Sequence, residues 1–293
     1  MSPARPVAEE SALAAVAEVL SCPECDRGLS PADRMLRCEH GHSFDIARQG
    51  YVSLLTGAAT KMSGDTAAML DARAAFQGAG YFTPIAETIA AAAAAGHTPG
   101  ATEVIADIGA GTGYYLARVL DTIPDARGIA FDIAKPAGRR CARVHPRAAA
   151  VVADAWRGLP VRDHSLTTAM SVFAPRNPDA LARALTATGR YVVVTPTTRH
   201  LAELIAPVGM VTVDPDKDRR LAEALAGRFT LLDTTTVEYP MVLPRADIAN
   251  VVAMGPSAHH GAAAGERIAG LPDTYEVTAS VTVATYAPTG APD

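Results

Sequence analysis

Lysine is nearly missing from this sequence: Lys61, Lys135 and Lys217 are the only three, and arginine carries the rest of the positive charge. There is no basic excess either. With a net charge of -5, any polyanionic partner would have to be held by a local basic face and not by the total. No run of about eighteen apolar residues occurs, which argues against a membrane-spanning helix. Glu9, Glu10 and Glu18 interrupt any apolar core of a signal peptide. These absences predict a cytoplasmic protein, and in that reducing setting its four cysteines are read as metal ligands or catalytic groups before disulfides. Repeats, heptads and low-complexity tracts beyond the last few residues are also missing. What remains is 49% hydrophobic and 19% charged residues over 293 positions, enough for one large domain with a small appendage.

Three of the four cysteines fall in CPECDRGLSPADRMLRCEHGHSF, residues 22–44. Cys22 and Cys25 form C-x2-C, and Cys38 and His42 form C-x3-H after a dozen intervening residues. Two close pairs at that separation suit a tetrahedral ion, with each pair on a knuckle and a hairpin bringing the knuckles together. Pro23, Gly28 and Gly41 supply turns where this needs them. A redox dithiol would want C-x-x-C at a helix start in a βαβ unit, which nothing near Cys22 resembles, and chance clustering is the remaining alternative. His42 is preferred over His40 as fourth ligand because C-x-H would strain a single knuckle. Cys22, Cys25, Cys38 and His42 leave no open position, so the expected zinc is structural.

Along the chain, residues 1–20 read as a weakly helical, acidic lead-in. Residues 21–62 read as a small zinc-stapled β unit, too short for a core of its own. SGDTAAMLDARAAFQGAGYF, 63–82, has helical spacing at Met69, Ala72 and Phe76, with Asp65 as the expected N-cap. An alanine-rich helix follows over 84–95. From 103 onward, EVIADI, RGIAFDI, AAAVVAD, LTTAMSVF and GRYVVVTP alternate with helical stretches at 113–122, 135–145, 177–187 and 198–208. That alternation predicts a doubly wound parallel α/β sheet. A helix near 217–227 precedes two late strands, FTLLDTTTVEYPMVL and YEVTASVTVATYAP.

The chemistry is expected at ADIGAGTGYYL, 106–116, where Gly109, Gly111 and Gly113 lie between the first strand and its helix. Side-chain-free residues let a ligand approach the backbone and the helix start. A dinucleotide site would more naturally show G-x-G-x-x-G, and Asp107 beside the loop would repel a pyrophosphate. Acids recur at successive strand ends as Asp107, Asp132 and Asp154, which suits a cationic ligand better than three incidental carboxylates. D-x-G-x-G-x-G resembles motif I of class I S-adenosylmethionine-dependent methyltransferases. That resemblance implies a loop packed on the aminoacyl part of the cofactor, an acid on the ribose and another near the adenine. Its candidate cofactor residues are Asp107, Gly109, Gly111, Gly113, Tyr114, Asp132 and Asp154.

The zinc unit, GDTAAMLDARAAFQGAGYF, DIGAGTGYYL, FDIAK, SVFAPRNP and VVVTPTTRHLAEL, taken together over residues 20–285, resemble the bacterial 23S rRNA (guanine-N1)-methyltransferases with N-terminal zinc-binding domains. FAPRNP and VVAMGPSAHH are most similar to the Gram-positive branch, which includes tylosin-resistance enzymes. The resemblance implies a class I Rossmann-like domain over 63–293, a zinc-binding RNA-recognition domain over 21–62 and an N-terminal extension over 1–20. It also implies S-adenosylmethionine and structural zinc as cofactors, a 23S rRNA hairpin near the peptide exit tunnel as partner, and a homodimer. The extension before Cys22 is its main departure from the pattern.

Methylation at guanine N1 requires loss of the N1 proton or stabilisation of charge on O6, and the base must be brought out of its hairpin. Phe173 is readable as a stacking platform or as core. Arg176, Arg199 and His200 are candidates for O6 or phosphate, with a solvated loop arginine as the alternative for Arg176. The expected target-base residues are therefore Phe173, Arg176 and His200. No residue identifies itself as the general base; Asp65 could serve if its helix folds over the cofactor, against a capping role. Two other functions fit parts of the pattern: a small-molecule methyltransferase with an incidental zinc unit, and a non-catalytic RNA-binding protein on a methyltransferase fold. A nucleotide-dependent oxidoreductase is disfavoured by the acidic loop.

Overall fold

The computed structural model describes residues 11–57, 64–98, 100–255 and 261–290. A short helix α1 (Ala12–Ala15) leads into a three-stranded antiparallel sheet of β1 (Leu29–Ala32), β2 (Met35–Cys38) and β3 (Ser43–Asp45). Strand β4 (Tyr51–Ser53) leaves this unit and pairs in parallel with a strand of the large sheet. Helices α2 (Ala67–Gly78) and α3 (Thr83–Ala94) follow, then an alternating run. It comprises β5 (Glu103–Ile108), α4 (Tyr114–Thr122), β6 (Ala126–Asp132), α5 (Lys135–Cys141), β7 (Ala148–Val152), β8 (Leu166–Val172), α6 (Pro178–Ala184) and β9 (Leu185–Pro196). The remainder is α7 (Ile205–Val208), α8 (Lys217–Leu225), β10 (Phe229–Pro244), α9 (Arg245–Ala253), α10 (Gly261–Ala269) and β11 (Thr274–Pro288).

The large sheet runs in the order β10-β11-β9-β8-β5-β6-β7-β4. β4 through β9 pair in parallel, whereas β11 is antiparallel to both β9 and β10. This is the doubly wound α/β order with a terminal antiparallel hairpin, and its reversal point lies at β5. Every residue of β5 is buried. Because successive side chains point to opposite faces, Ile105 joins the core beneath α3 and α4 while Val104, Ala106 and Ile108 join the core on the other face.

Several elements differ from the sequence expectation. The helix expected over 63–82 is shorter: α2 begins at Ala67 and ends at Gly78, and Gly80, at φ +85°, turns the chain toward α3. Thr66, not Asp65, caps α2, its hydroxyl accepting the Met69 N–H at 3.2 Å. The helix expected over 177–187 stops at Ala184 because Leu185 already pairs with Leu166 of β8. Residues 198–208 hold only a 3-10 turn at Ala202–Leu204 and the single turn of α7.

The lead-in is also more than an acidic tail. Leu13, Val16, Ala17 and Leu20 are buried against Phe131, Val151 and Leu159, and the Ala15 carbonyl accepts from Arg127 Nη1 at 2.7 Å. Residues 1–10 lie outside the described residues, as do Lys61 and residues 256–260 of VVAMGPSAHH.

Candidate active site and metal centre

The cysteine cluster closes on itself. The Cys25 and Cys38 sulfurs lie 3.8 Å apart, and His42 Nδ1 lies 3.5 Å from Cys22 Sγ and 3.4 Å from Cys38 Sγ. All four donor atoms fall within 4.8 Å of one another. Tetrahedral zinc, with sulfur at about 2.3 Å and nitrogen at about 2.0–2.1 Å, has edges of about 3.8 Å between sulfurs and about 3.5 Å from sulfur to nitrogen. The side chains present therefore fit the ion. Tight local turns set them: the Asp26 N–H bonds to the Cys22 carbonyl at 2.8 Å, and the Gly41 N–H to the Cys38 carbonyl at 3.0 Å. His40 is not part of this set.

At the carboxyl ends of the parallel strands lies a cavity of about 420 Å³. The turn after β5 places one acid wall. Asp107 is 1% exposed, and its Oδ2 has no hydrogen-bond partner among the described residues. Burial, and secondarily the charge of Asp132, pushes its carboxyl up to about 8. An orphaned carboxylate of this kind is complementary to a cation arriving in the cavity. Asp132, at the end of β6, accepts the Gly111 N–H at 2.9 Å on Oδ2 and the Ala134 N–H at 2.8 Å on Oδ1. Asp154, beyond β7, accepts the Trp156 N–H at 3.1 Å and also lines the cavity.

Gly109 has φ +77°, and a Cβ there would come within 2.6 Å of the Ala174 Cβ; only glycine leaves room where the loop meets the segment after β8. Gly111 and Gly113 lie behind this wall, Gly113 as the N-cap of α4. Tyr114 does not line the cavity: it packs edge-on against Tyr115, and Tyr115 is the tyrosine at the wall. The first turn of α4 rotates consecutive side chains by about 100°, so only one of the pair can face inward.

The wall supplied by the segments after β8 and β9 is aromatic and cationic. Phe173, with φ 54° and 40% exposure, sits just beyond β8. Its ring is 5.8 Å from that of His200 at 26° and 6.4 Å from Phe82. Non-glycine residues adopt this backbone region rarely and at a cost. His200 Nδ1 accepts the Ser280 N–H at 3.1 Å, so the neutral ring carries its proton on Nε2. Burial, then the charge of Lys217, pushes His200 down to about 4. Arg176 donates from Nη2 to the Ala174 carbonyl at 3.2 Å, and its buried Nε has no partner among the described residues. Arg199 does not join them; its Nε pairs with Glu238 at 3.0 Å outside the cavity.

Residues that the sequence reading passed over complete the walls: Arg73, Gln77 and Phe82 from α2 and its flank, Trp156, Lys217, and Met254 from the end of α9. Nothing local marks them, except that Trp156 is the single tryptophan and half exposed. Asp65 also lines the cavity and forms an ion pair with Arg73 at 2.6 Å.

The strand order and the acid-lined glycine loop define a class I S-adenosylmethionine-dependent methyltransferase carrying a zinc ribbon. A zinc-ribbon family model described as RlmA, N-terminal, matches residues 20–63. The 23S rRNA (guanine(748)-N(1))-methyltransferase of Streptomyces fradiae is 46% identical over 269 residues, 91% of this chain and 96% of its own. A relative from Micromonospora griseorubida is 44% identical over 287 residues, 92% of this chain and 97% of its own. The chain belongs to the 23S rRNA (guanine-N1)-methyltransferase family. Among solved structures, the N-methyltransferase NodS of Bradyrhizobium japonicum covers 71% of this chain and 87% of its own at 12% identity, with a TM-score of 0.43. No helix among the described residues is long and apolar enough to cross a membrane.

Proposed function

We infer that this chain transfers a methyl group from S-adenosylmethionine to N1 of a guanine in 23S rRNA. The observation that carries this reading is one cavity that gathers two chemically distinct sets of groups: Asp107, Asp132 and Asp154 at the strand ends, and a target end of Phe173, Arg176, His200 and Lys217 from the segments after β8 and β9 and the start of α8. Asp107 with Gly109 would hold the aminoacyl part, Asp132 the ribose and Asp154 the adenine side. When bound, S-adenosylmethionine supplies an electrophilic methyl group on a sulfonium centre.

The target end prepares the nucleophile. Guanine N1 is protonated at neutral pH, and its proton leaves more easily if donors stabilise the charge that builds on O6. His200 is fixed by the Ser280 N–H as an Nε2–H donor, and the unpartnered Arg176 Nε is a second donor for that oxygen. Phe173 offers a face on which a flipped base stacks. Stacking and hydrogen bonds then align N1 with the methyl group.

We assign recognition to residues 21–62 and transfer to residues 63–293, with Arg34, Arg37 and Arg48 exposed on the zinc unit as phosphate contacts. The partner is a 23S rRNA hairpin near the peptide exit tunnel, with guanine 748, the position in the Streptomyces fradiae relative's name, as the expected target. Tylosin-type resistance, a homodimer and a cytoplasmic location belong to the same reading. Deleting residues 1–60 would strip β4 and the packing of Leu13 to Leu20, so charge reversal of Arg34, Arg37 and Arg48 is the cleaner probe of RNA grip. Unchanged RNA affinity would remove the zinc unit's assigned role.

The defining experiment is primer extension on 23S rRNA from cells with and without the gene. N1 methylation blocks Watson–Crick pairing, so a gene-dependent stop at one guanine is expected. Label from radioactive S-adenosylmethionine entering a small molecule and not rRNA would overturn the substrate.

A further inference from the structure

Arg73 lines the cavity and has no part in the transfer chemistry. We propose that Arg73 binds the carboxylate of the cofactor's amino-acid moiety, opposite Asp107, which receives its ammonium group. The inference rests on the reading of this cavity as the S-adenosylmethionine site.

Arg73 is held from two directions. Its Nη1 lies 2.6 Å from Asp65 Oδ2 and its Nη2 donates to the Met254 carbonyl at 2.7 Å. Among the described residues these contacts use two of the five N–H donors of a guanidinium. A Cβ added at Gly111 would fall 2.6 Å from Arg73 Nη1. The guanidinium therefore lies directly on the glycine loop, where only the missing side chain leaves it space.

Charge partition singles it out. Three basic side chains line the cavity: Arg73, Arg176 and Lys217. The charge of Arg176 acts on Lys217 and that of Lys217 on His200, and both are already grouped with the target base. Arg73 acts instead on Asp132 and Tyr115, at the glycine-loop end. An amino acid bound there presents an ammonium and a carboxylate a few ångströms apart. Asp107, buried with an unpaired oxygen, suits the first, and Arg73 suits the second, since guanidinium pairs with carboxylate in a planar, bidentate fashion. Asp65 is then a positioning residue that sets the guanidinium plane.

The rival role is structural, in which Arg73 only ties α2 to Asp65 and to the end of α9. Analogues lacking the carboxylate separate the two. Equilibrium binding to the full chain is measured for S-adenosylmethionine, its decarboxylated analogue and methylthioadenosine, with melting curves of each variant. Wild type is expected to favour S-adenosylmethionine over the decarboxylated analogue by about 10- to 100-fold, the span of one charge-assisted contact. Arg73→Gln should bring that ratio close to one while leaving the decarboxylated analogue and methylthioadenosine within about threefold of wild type. Arg73→Lys should keep part of the preference. Equal wild-type affinity for the two sulfonium compounds overturns the proposal alone, as does a variant that weakens all three ligands alike. Failure of wild type to bind any of them overturns the cofactor reading itself.

Discussion

The ring of Phe173 lies 5.8 Å from the imidazole of His200, only 26° from parallel. The first residue comes from the segment after β8, in a left-handed backbone conformation, and the second from the turn after β9. Their two rings form one wall of the cavity, and their juxtaposition follows from β8 and β9 being neighbours in the sheet.

Removing the aromatic face at residue 173 should weaken use of RNA without touching the cofactor. Phe173→Ala is expected to lower kcat/KM for 23S rRNA by about 5- to 150-fold, the equivalent of one lost base stack. Affinity for S-adenosylhomocysteine should stay within about twofold by calorimetry. A variant with wild-type kinetics would return Phe173 to a packing role.

Two buried groups give opposite pH signatures. His200 is held neutral, below its ordinary value and down to about 4, so the unfolded chain takes up its proton first as pH falls. Its contribution to stability is complete above about 6.5 and is lost on acidification toward 4. Asp107, raised to about 8, behaves the other way: its contribution is present at low pH and lost as pH rises toward 8. Urea unfolding of His200→Gln should show a smaller loss between pH 7 and pH 5 than wild type, and Asp107→Asn a smaller loss between pH 6 and pH 8. Cofactor binding near pH 6 should release about one proton from Asp107, read as a buffer-dependent heat.

The metal centre should discriminate between its two histidines. His42→Ala is expected to lose bound zinc and lower the melting temperature, while His40→Ala keeps about one zinc per chain by elemental analysis. Chelation of the wild-type protein should unfold the small sheet first, because β1, β2 and β3 have little core beyond Leu29, Leu36 and the cysteines. Zinc retained in His42→Ala and lost in His40→Ala would reverse the ligand assignment.

At the start of α2, cap and charge can be separated. Thr66→Ala removes the hydroxyl that accepts the Met69 N–H and should cost about 1 kcal/mol in urea unfolding. Asp65→Asn should change stability by less, since the pair is partly solvated. It should weaken S-adenosylmethionine binding through Arg73. The opposite ranking in both assays would restore Asp65 as the cap.

Legibility in the sequence followed locality. Cys22, Cys25, Cys38 and His42 were readable because two knuckles a dozen residues apart nearly specify a tetrahedron. The acids Asp107, Asp132 and Asp154 were readable because each follows a strand of the same parallel sheet, so regular alternation puts them at one edge. The packing role of Leu13, Val16, Ala17 and Leu20 was present as helical spacing, but only a short helix forms, and charge at Glu9, Glu10 and Glu18 drew the reading toward a solvated tail. Asp65 is the expected cap and Thr66 the observed one, because both side chains can cap and one residue of helix phase decides.

By itself, then, the sequence determined the zinc ligand set, the alternation of strands and helices from β5 to β9, and the acidic glycine loop, all of which arise from short-range spacing and backbone freedom, while α9 and α10 between the two late strands were not legible. Only the tertiary structure decided which distant side chains complete the cavity. Arg73 meets Met254 across 181 positions, and His200 meets the Ser280 N–H across 80. Such pairs leave no periodic trace, because they depend on how sheet order and helix phase bring remote segments to the same few ångströms of space.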